Sequence, residues 1–213
     1  KLSEIAQEIK SRPEVRLICL AGPSSSGKTT ISRRLRIKLL ASCIDSRTIE
    51  LDNYFVNRAD TPKDSEGNYD FETLDALNID LLNKHLKALL AGEEVCVPKF
   101  DFVSGLSQKG HNLSLKPKQL LIIEGIHGLN ERLAEGIPSA KKFNIFAGPL
   151  SGTNLDLHNR IGTTDTRLLR RLVRDNSNRG HLPEATLKQW PSVIRGSFQY
   201  VFPYQENADV IFN

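Results

Sequence analysis

The chain has 213 residues, with 29 Lys and Arg against 25 Asp and Glu, a formal net charge of +4 and a pI near 9.0. Its 39% hydrophobic and 25% charged residues give an ordinary globular balance and exclude a disordered chain. Three scattered cysteines (Cys19, Cys43, Cys96) exclude a disulfide framework, no Cys/His cluster has zinc-like spacing, and no apolar run approaches the ~20 residues of a membrane span. The expectation is a soluble, cytoplasmic protein. Methionine is absent even at position 1, so Lys1 is not expected to be a native start, and the chain is expected to be cut from a longer protein.

The opening KLSEIAQEIK has an amphipathic helix pattern rather than that of a signal peptide. Short apolar runs then follow at residues 16–21 (RLICLA), 47–51 (RTIEL), 119–124 (QLLIIE), 142–147 (KFNIFA) and 208–212 (ADVIF). Near-continuous apolar runs of this kind read as buried parallel strands. Between them, residues 29–43, 74–91, 166–175 and 184–200 carry helix periods. Strand–helix alternation predicts one α/β domain over 1–213, a parallel sheet with helices on both faces. Two stretches break the alternation. Residues 53–69 are polar and rich in turn formers, a long loop; residues 95–116, beginning VCVPKFDFV, predict a β-hairpin excursion. Excursions of this kind often carry substrate contacts.

Residues 22–29, GPSSSGKT, match the P-loop pattern G-x4-G-K-[ST] in full, with a strand before and a helix after. Glycines let successive N–H groups point inward at phosphate oxygens, and the loop feeds a helix N-terminus that favours anions. Gly22, Ser24, Ser25, Ser26, Gly27, Lys28, Thr29 and Thr30 are therefore the candidate ATP contacts. Lys28 is placed to reach the β- and γ-phosphates, and the Thr29 hydroxyl to ligate Mg²⁺.

The other strand ends narrow the class. LLIIEG ends in Glu124, a carboxylate suited to organising a Mg²⁺ water shell, and the second strand ends in LDNYF with Asp52. Ligands of open α/β sheets bind outside the carboxyl ends of the strands, so both carboxylates are expected to face the phosphates. Neither a GTPase DxxG at the usual place nor a guanine-reading NKxD motif is present. Asp52 is assigned as the base that accepts the proton of an attacking hydroxyl, and as a metal contact. Glu124 is the metal organiser with Thr29.

Residues 165–180 read DTRLLRRLVRDNSNRG. At 100° per residue Arg167, Arg170, Arg171 and Arg174 share a face and Leu168, Leu169, Leu172 and Val173 lie opposite. The leucine side is expected to pack in the core. The arginine side is read as lacking an acid at i±4 and as a clamp for a polyphosphate, with Arg174 on the nucleotide. Arg179 lies in a polar NSNRGH stretch, part of a mobile lid over about 165–182. An RNA-binding stripe is the competing reading, and nucleic acid is not the favoured partner. His85, His111, His158 and His181 are expected as solvent or loop groups, His127 as structural, and Trp190 as a core or interface anchor.

GPSSSGKTT, LDNYF, PKFDFVSG, IIEGIHGLN and DTRLLRRLVRDNSNRG, in this order, resemble the uridine kinase/phosphoribulokinase family of P-loop kinases, most closely its bacterial uridine kinase-like branch. The resemblance runs from about residue 16 to the end. It implies a nucleoside monophosphate kinase-like core, ATP and Mg²⁺, and phosphorylation of a hydroxyl, for uridine kinases the ribose 5′-OH of uridine or cytidine. In that pattern Asp52 is the base, Glu124 and Thr29 complete the metal environment, and Arg167 and Arg170 contact phosphates and substrate from the lid side. Uridine kinases commonly read Tyr-Asp-Phe-x-x-His in the hairpin, with Tyr and His near the pyrimidine. Here the stretch is Phe100-Asp101-Phe102-Val103-Ser104-Gly105, so Phe100 and Asp101 line the substrate side without the polar base readers. The substrate carboxylate is Asp70 or Glu72. Family enzymes are often oligomers, and a homo-oligomer is an open expectation. Set beside the kinase are a nucleotide-sensing or RNA-binding P-loop module and a related sugar-phosphate or pantothenate-type kinase.

Overall fold

A computed structural model describes residues 1–150, 154 and 156–213. In chain order its elements are α1 (Leu2–Ser11), β1 (Leu17–Ala21), α2 (Lys28–Ala41), β2 (Ser46–Glu50), α3 (Ile79–Leu90), β3 (Val95–Asp101), β4 (Leu106–Leu113), β5 (Leu120–Glu124), β6 (Lys142–Ala147), α4 (Thr163–Arg179), α5 (Pro183–Gly196) and β7 (Val210–Phe212). The apolar runs pair as a parallel five-stranded sheet in the order β2-β5-β1-β6-β7, and β3 and β4 form a separate antiparallel hairpin. No described helix is long and apolar enough to cross a membrane.

Alternation along the central strands sets the layers. Leu17, Cys19, Leu121 and Ile123 point to one face, beneath Leu82, Leu86 and Leu89 of α3 and Val97 and Phe100 of β3. Ile18, Leu20 and Ile122 point to the other, beneath Ile5 and Ile9 of α1 and Leu35 and Leu39 of α2. Strands covered on both faces need apolar residues at every position, hence the unbroken LICLA and LLIIE. Each fully buried Leu or Ile stabilises this arrangement by roughly 1.5–3 kcal/mol. The same register brings Leu20 of β1 and Glu50 of β2 alongside Glu124 of β5. The carboxyl ends of three strands, with the loops that follow them, therefore lie along one edge of the sheet.

Four expectations from the sequence need correction. The helix read over 74–91 starts at Ile79, because the Asn78 side chain accepts a hydrogen bond from Leu81 N and caps it there; Leu74–Ala76 forms a separate 3₁₀ turn. The pattern over 184–200 is α-helical only to Gly196 and continues as a π-helical turn, Ser197–Val201, where the Ser197 hydroxyl donates to Val193 O at 2.8 Å. The helix read over 166–175 is longer at both ends: α4 starts at Thr163, runs through the polar stretch after Asp175 to Arg179 and ends on Gly180.

The largest correction concerns the faces of α4. Its arginine side is the buried one, with Arg167 at 4% exposure, Arg171 at 7% and Asp175 at 0%, whereas Leu169 and Val173 are 59% and 69% exposed. Asp175 stands at i+4 from Arg171 and pairs with it at 3.1 Å, so the arginine face does carry a neutralising acid. The helix packs on the P-loop and α5 rather than on the apolar sheet, and those surfaces present the Ser24 carbonyl and hydroxyl and the Ser197 hydroxyl. A polar partner draws the polar side inward.

Candidate active site

The P-loop joins β1 to α2, with Gly27 at φ +102° as the residue before the helix. Lys28 Nζ donates to Gly22 O at 2.8 Å and to Pro23 O at 3.2 Å, curled onto its own loop. Burial pushes its pKa down to about 8, against the opposing pull of Glu124, Asp52 and Glu72. Among the described residues the buried hydroxyls of Ser25 and Ser26 have no hydrogen-bond partner. An ammonium held only by carbonyls, beside orphaned buried hydroxyls, is a donor set for which a polyphosphate is the fitting acceptor. Thr30 lies exposed on the first turn of α2.

Thr29 Oγ1 donates to Glu124 Oε1 at 2.6 Å, which joins the start of α2 to the end of β5. Burial raises the pKa of Glu124, and Lys28 and the Thr29 bond oppose the rise. Asp52 sits in the 3₁₀ turn Leu51–Tyr54 directly after β2 and accepts a hydrogen bond from the Arg179 guanidinium at 2.9 Å. A hydroxyl and two carboxylates thus gather beside the P-loop lysine, a hard oxygen set suited to Mg²⁺.

Helix α4 lies against this cradle. Arg167 Nε donates to Ser24 O at 2.9 Å, its other end reaches Ser197 Oγ at 2.9 Å, and its guanidinium lies over the Trp190 ring at 5.5 Å. Trp190, expected as an anchor, is thus part of the arginine's packing. Arg171 donates to Ser24 Oγ at 2.9 Å and pairs with Asp175. Asp175 also takes Arg174 at 2.8 Å and lies 3.8 Å from Arg179. Arg170 is exposed, and its guanidinium passes 3.2 Å from where a side chain on Gly27 would begin. Arg167 and Arg171 therefore grip the protein's own P-loop backbone, and Arg170 stands over the cradle.

The opposite wall comes from the loop after β2, the 70–72 segment and the hairpin. Asp70 spends one carboxylate oxygen on Glu72 N at 3.0 Å, closing its own turn. Glu72 is buried, lies 3.9 Å from Arg171, and has its pKa raised by burial. Its Cβ lies so close to Gly196 that any side chain there would meet it at 2.3 Å, so this approach requires a glycine. Phe100 is buried among Phe55 and Phe102, at ring separations of 5.5 and 5.2 Å. Asp101 holds the hairpin turn through Val103 N and Ser104 Oγ, which keep its pKa low. The Arg179 guanidinium lies 3.7 Å over the Phe102 ring.

Several contacts escaped the sequence reading. Asp175, the acid shared by three arginines, was visible at i+4 from Arg171. The bond from Arg179 to Asp52 spans 127 residues and has no local signal. His85 has a partner after all: its Nδ1 lies 3.0 Å from the Tyr54 hydroxyl. His127 is buried between the site and the Glu72–Thr73 backbone, with its pKa pushed down to about 4 by burial, so it is neutral at physiological pH.

A sequence profile of the Phosphoribulokinase / Uridine kinase family matches residues 17–213. The chain is 29% identical to a uridine kinase of Halobacterium salinarum over 196 residues, covering 91% of this chain and 78% of that one. It is also 29% identical to a uridine kinase of Chloroflexus aggregans, covering 92% and 85%. In fold it is similar to a protein of Bacillus stearothermophilus described as a possible uridine kinase, with a TM-score of 0.60, 17% identity, and coverage of 97% and 100%. A complete P-loop below a strand-end carboxylate pair, joined to this match over nearly all of its length, makes the chain a member of the phosphoribulokinase/uridine kinase family and a phosphotransferase with an alcohol group as acceptor.

Proposed function

We propose that this protein transfers the γ-phosphate of ATP to a hydroxyl of a nucleoside, uridine- or cytidine-like, or of a similar small metabolite. The observation that carries the reading is the meeting of Thr29, Glu124, Asp52 and Lys28 at one sheet edge, joined by the 2.6 Å Thr29–Glu124 hydrogen bond. Mg·ATP, where bound, supplies the phosphoryl group and neutralises charge on it. Lys28, the P-loop amides and the Ser25 and Ser26 hydroxyls hold the phosphates, while Thr29, Glu124 and Asp52 hold the metal.

Asp52 accepts the proton of the attacking hydroxyl. Its carboxylate is oriented by Arg179, and Arg179 is held in turn by the Phe102 ring and buried Asp175. Arg170, over Gly27, faces the charge that grows on the transferred group. Arg167 and Arg171 act one step back by fixing Ser24 of the loop. Glu72 rather than Asp70 is the carboxylate free to hold an acceptor hydroxyl, since Asp70 is occupied in its own turn. The hairpin over 95–116 forms the acceptor wall, and the segment 165–182 closes over it, within one domain. An RNA-binding module needs its basic stripe facing outward, whereas Arg167 and Arg171 face in.

The test is ADP production over a broad panel of nucleosides, sugars, sugar phosphates and hydroxy acids, with Asp52→Asn beside the wild type. Transfer is expected with at least one acceptor and a fall of about 10³-fold in kcat for Asp52→Asn, with ATP affinity retained. Undiminished turnover in Asp52→Asn removes its role as base, and ATP binding without transfer to any acceptor removes the kinase reading.

A further inference from the structure

The acceptor wall lacks polar groups on Phe100 and Gly105, yet the space beside Gly105 is not empty. Gly105 sits at φ +73°, and a side chain there would begin 2.7 Å from both Cζ and Nε of Arg58. Arg58 is fixed from two directions: its backbone N–H donates to Gly105 O at 2.8 Å, and its guanidinium donates to Phe102 O at 2.8 Å. Glycine at 105 is thus the condition for an arginine from another loop to lie across the hairpin turn. The backbone also runs from the candidate base to Arg58 along the hairpin, with Asn53 Oδ1 on Phe100 N and Asn57 Oδ1 on Ser107 N. Asp52, Arg179, Phe102 and Arg58 form one continuous line of contacts.

The charge of Arg58 is what distinguishes it. Among the described residues, Arg171, Arg174 and Arg179 share Asp175, Arg179 adds Asp52, and Arg195 pairs with Asp64 at 3.1 Å. Arg167 and Arg170 form no ion pair but lie on the P-loop, at Ser24 O and over Gly27, which leaves Arg58 as the unpaired arginine at the hairpin turn. Among the described residues no carboxylate pairs with Arg58, and Phe102 O is the one hydrogen-bond acceptor its side chain engages. His181 and Arg179, its ionisable neighbours across the turn, are not acids that could neutralise it. A half-buried guanidinium with spare donors and no ion-pair partner among the described residues is complementary to an anion, and its planar fork matches the two oxygens of a carboxylate or phosphate.

We propose that Arg58 is the specificity-determining residue of the acceptor site and selects a substrate bearing an anionic group, a carboxylate or a phosphate monoester, over a neutral one. This deepens the kinase reading above and rests on it. The anion sits at the hairpin turn beside Gly105, and the reacting hydroxyl reaches back across Phe102 to Asp52.

The experiment compares wild type, Arg58→Gln, Arg58→Lys and Gly105→Ala by ADP release, with D-glycerate and related hydroxy acids in one arm and ribose 5-phosphate and related sugar monophosphates in a second. Uridine and D-fructose, with other neutral nucleosides and sugars, form the third. The wild type is expected to have its highest kcat/KM in one of the two anionic arms, and which arm it is identifies the anion. Arg58→Gln is expected to raise KM for that acceptor roughly 10- to 100-fold, with kcat moved less. Arg58→Lys should recover part of the loss, because it keeps the charge without the fork. Gly105→Ala, which forces Arg58 aside, should raise the same KM, and thermal unfolding separates this from misfolding. If the best acceptor is neutral, or if Arg58→Gln leaves KM in place, the inference fails while the kinase reading stands. If no acceptor in any arm is phosphorylated, both fail together.

Discussion

The phosphate side and the acceptor side of this site are built by different means. The cradle is largely local: eight consecutive residues, 22–29, supply its loop, lysine and hydroxyl, and Glu124 is carried in by a strand adjacent to β1. The acceptor wall is assembled from the segments around 52–58, 70–72, 100–105 and 167–181. They are held by contacts such as Arg179 to Asp52 and Arg171 to Ser24, 127 and 147 residues apart. A local cradle varies little because its spacing is its geometry. A wall made of distant pieces can change its chemistry through one residue, as it does where Gly105 admits Arg58.

Helix α4 bridges the two sides, and its neighbouring arginines separate them. Arg171→Ala is expected to deprive Asp175, a fully buried carboxylate, of one of its three arginine partners and to strip Ser24 Oγ of its donor. Breaking a buried pair in this way costs about 3–5 kcal/mol, read as a lowered denaturation midpoint with loss of activity following from it. Arg170→Ala, one residue earlier, removes an exposed side chain over Gly27 and should leave stability within about 0.5 kcal/mol. Its effect belongs in kcat, a fall of roughly 10- to 100-fold, since one donor facing the developing charge is lost. If the two variants behave alike, the division between positioning and transition-state arginines is wrong.

That division also marks where the sequence was legible. The sheet, its parallel sense and the P-loop could be read because each depends on near neighbours: unbroken apolar runs, a glycine pattern, a strand before and a helix after. The carboxyl-end rule placed Asp52 and Glu124 without any knowledge of their partners. The periodicity of α4 was also right, yet its orientation was read backwards. Periodicity fixes which residues share a face, whereas the surface packed against it decides which face turns inward, and that surface is the polar Ser24 loop. Arg58 had no signal at all, since nothing in a stretch reading NRADT announces a glycine 47 positions downstream.

The cradle can be probed without mutation. Lys28 titrates near 8 in the protein free of nucleotide, below its ordinary 10.5. Phosphates on its ammonium favour the charged form, so binding draws a proton once the pH exceeds about 8. Below that pH the group is already protonated and contributes no pH dependence. Between 8 and 10.5 ATP affinity is expected to fall by up to about tenfold per unit. The unfolded chain keeps its proton through this window while the native protein releases it, so the contribution of Lys28 to stability rises as affinity falls. Lys28→Arg, charged throughout, should flatten the affinity profile. Fluorescent-nucleotide titrations from pH 7 to 9.5 decide it, and a wild-type profile as flat as the variant's refutes the buried-lysine account.

The smallest effect tests the inverted helix directly. If the leucine side of α4 packed in the core, Leu169→Ser would open a cavity and cost about 2–5 kcal/mol, as large-to-small core changes do. With Leu169 59% exposed, the residue has little apolar contact to lose. Leu169→Ser should therefore shift stability by no more than about 0.5 kcal/mol, the range of surface substitutions. Leu82→Ser on α3, fully buried against the sheet, is the matched control and should show the core-sized loss. A serine at 169 that destabilises as strongly as one at 82 means that the outer face of α4 is covered in solution, and the contrast between its two sides then has to be redrawn.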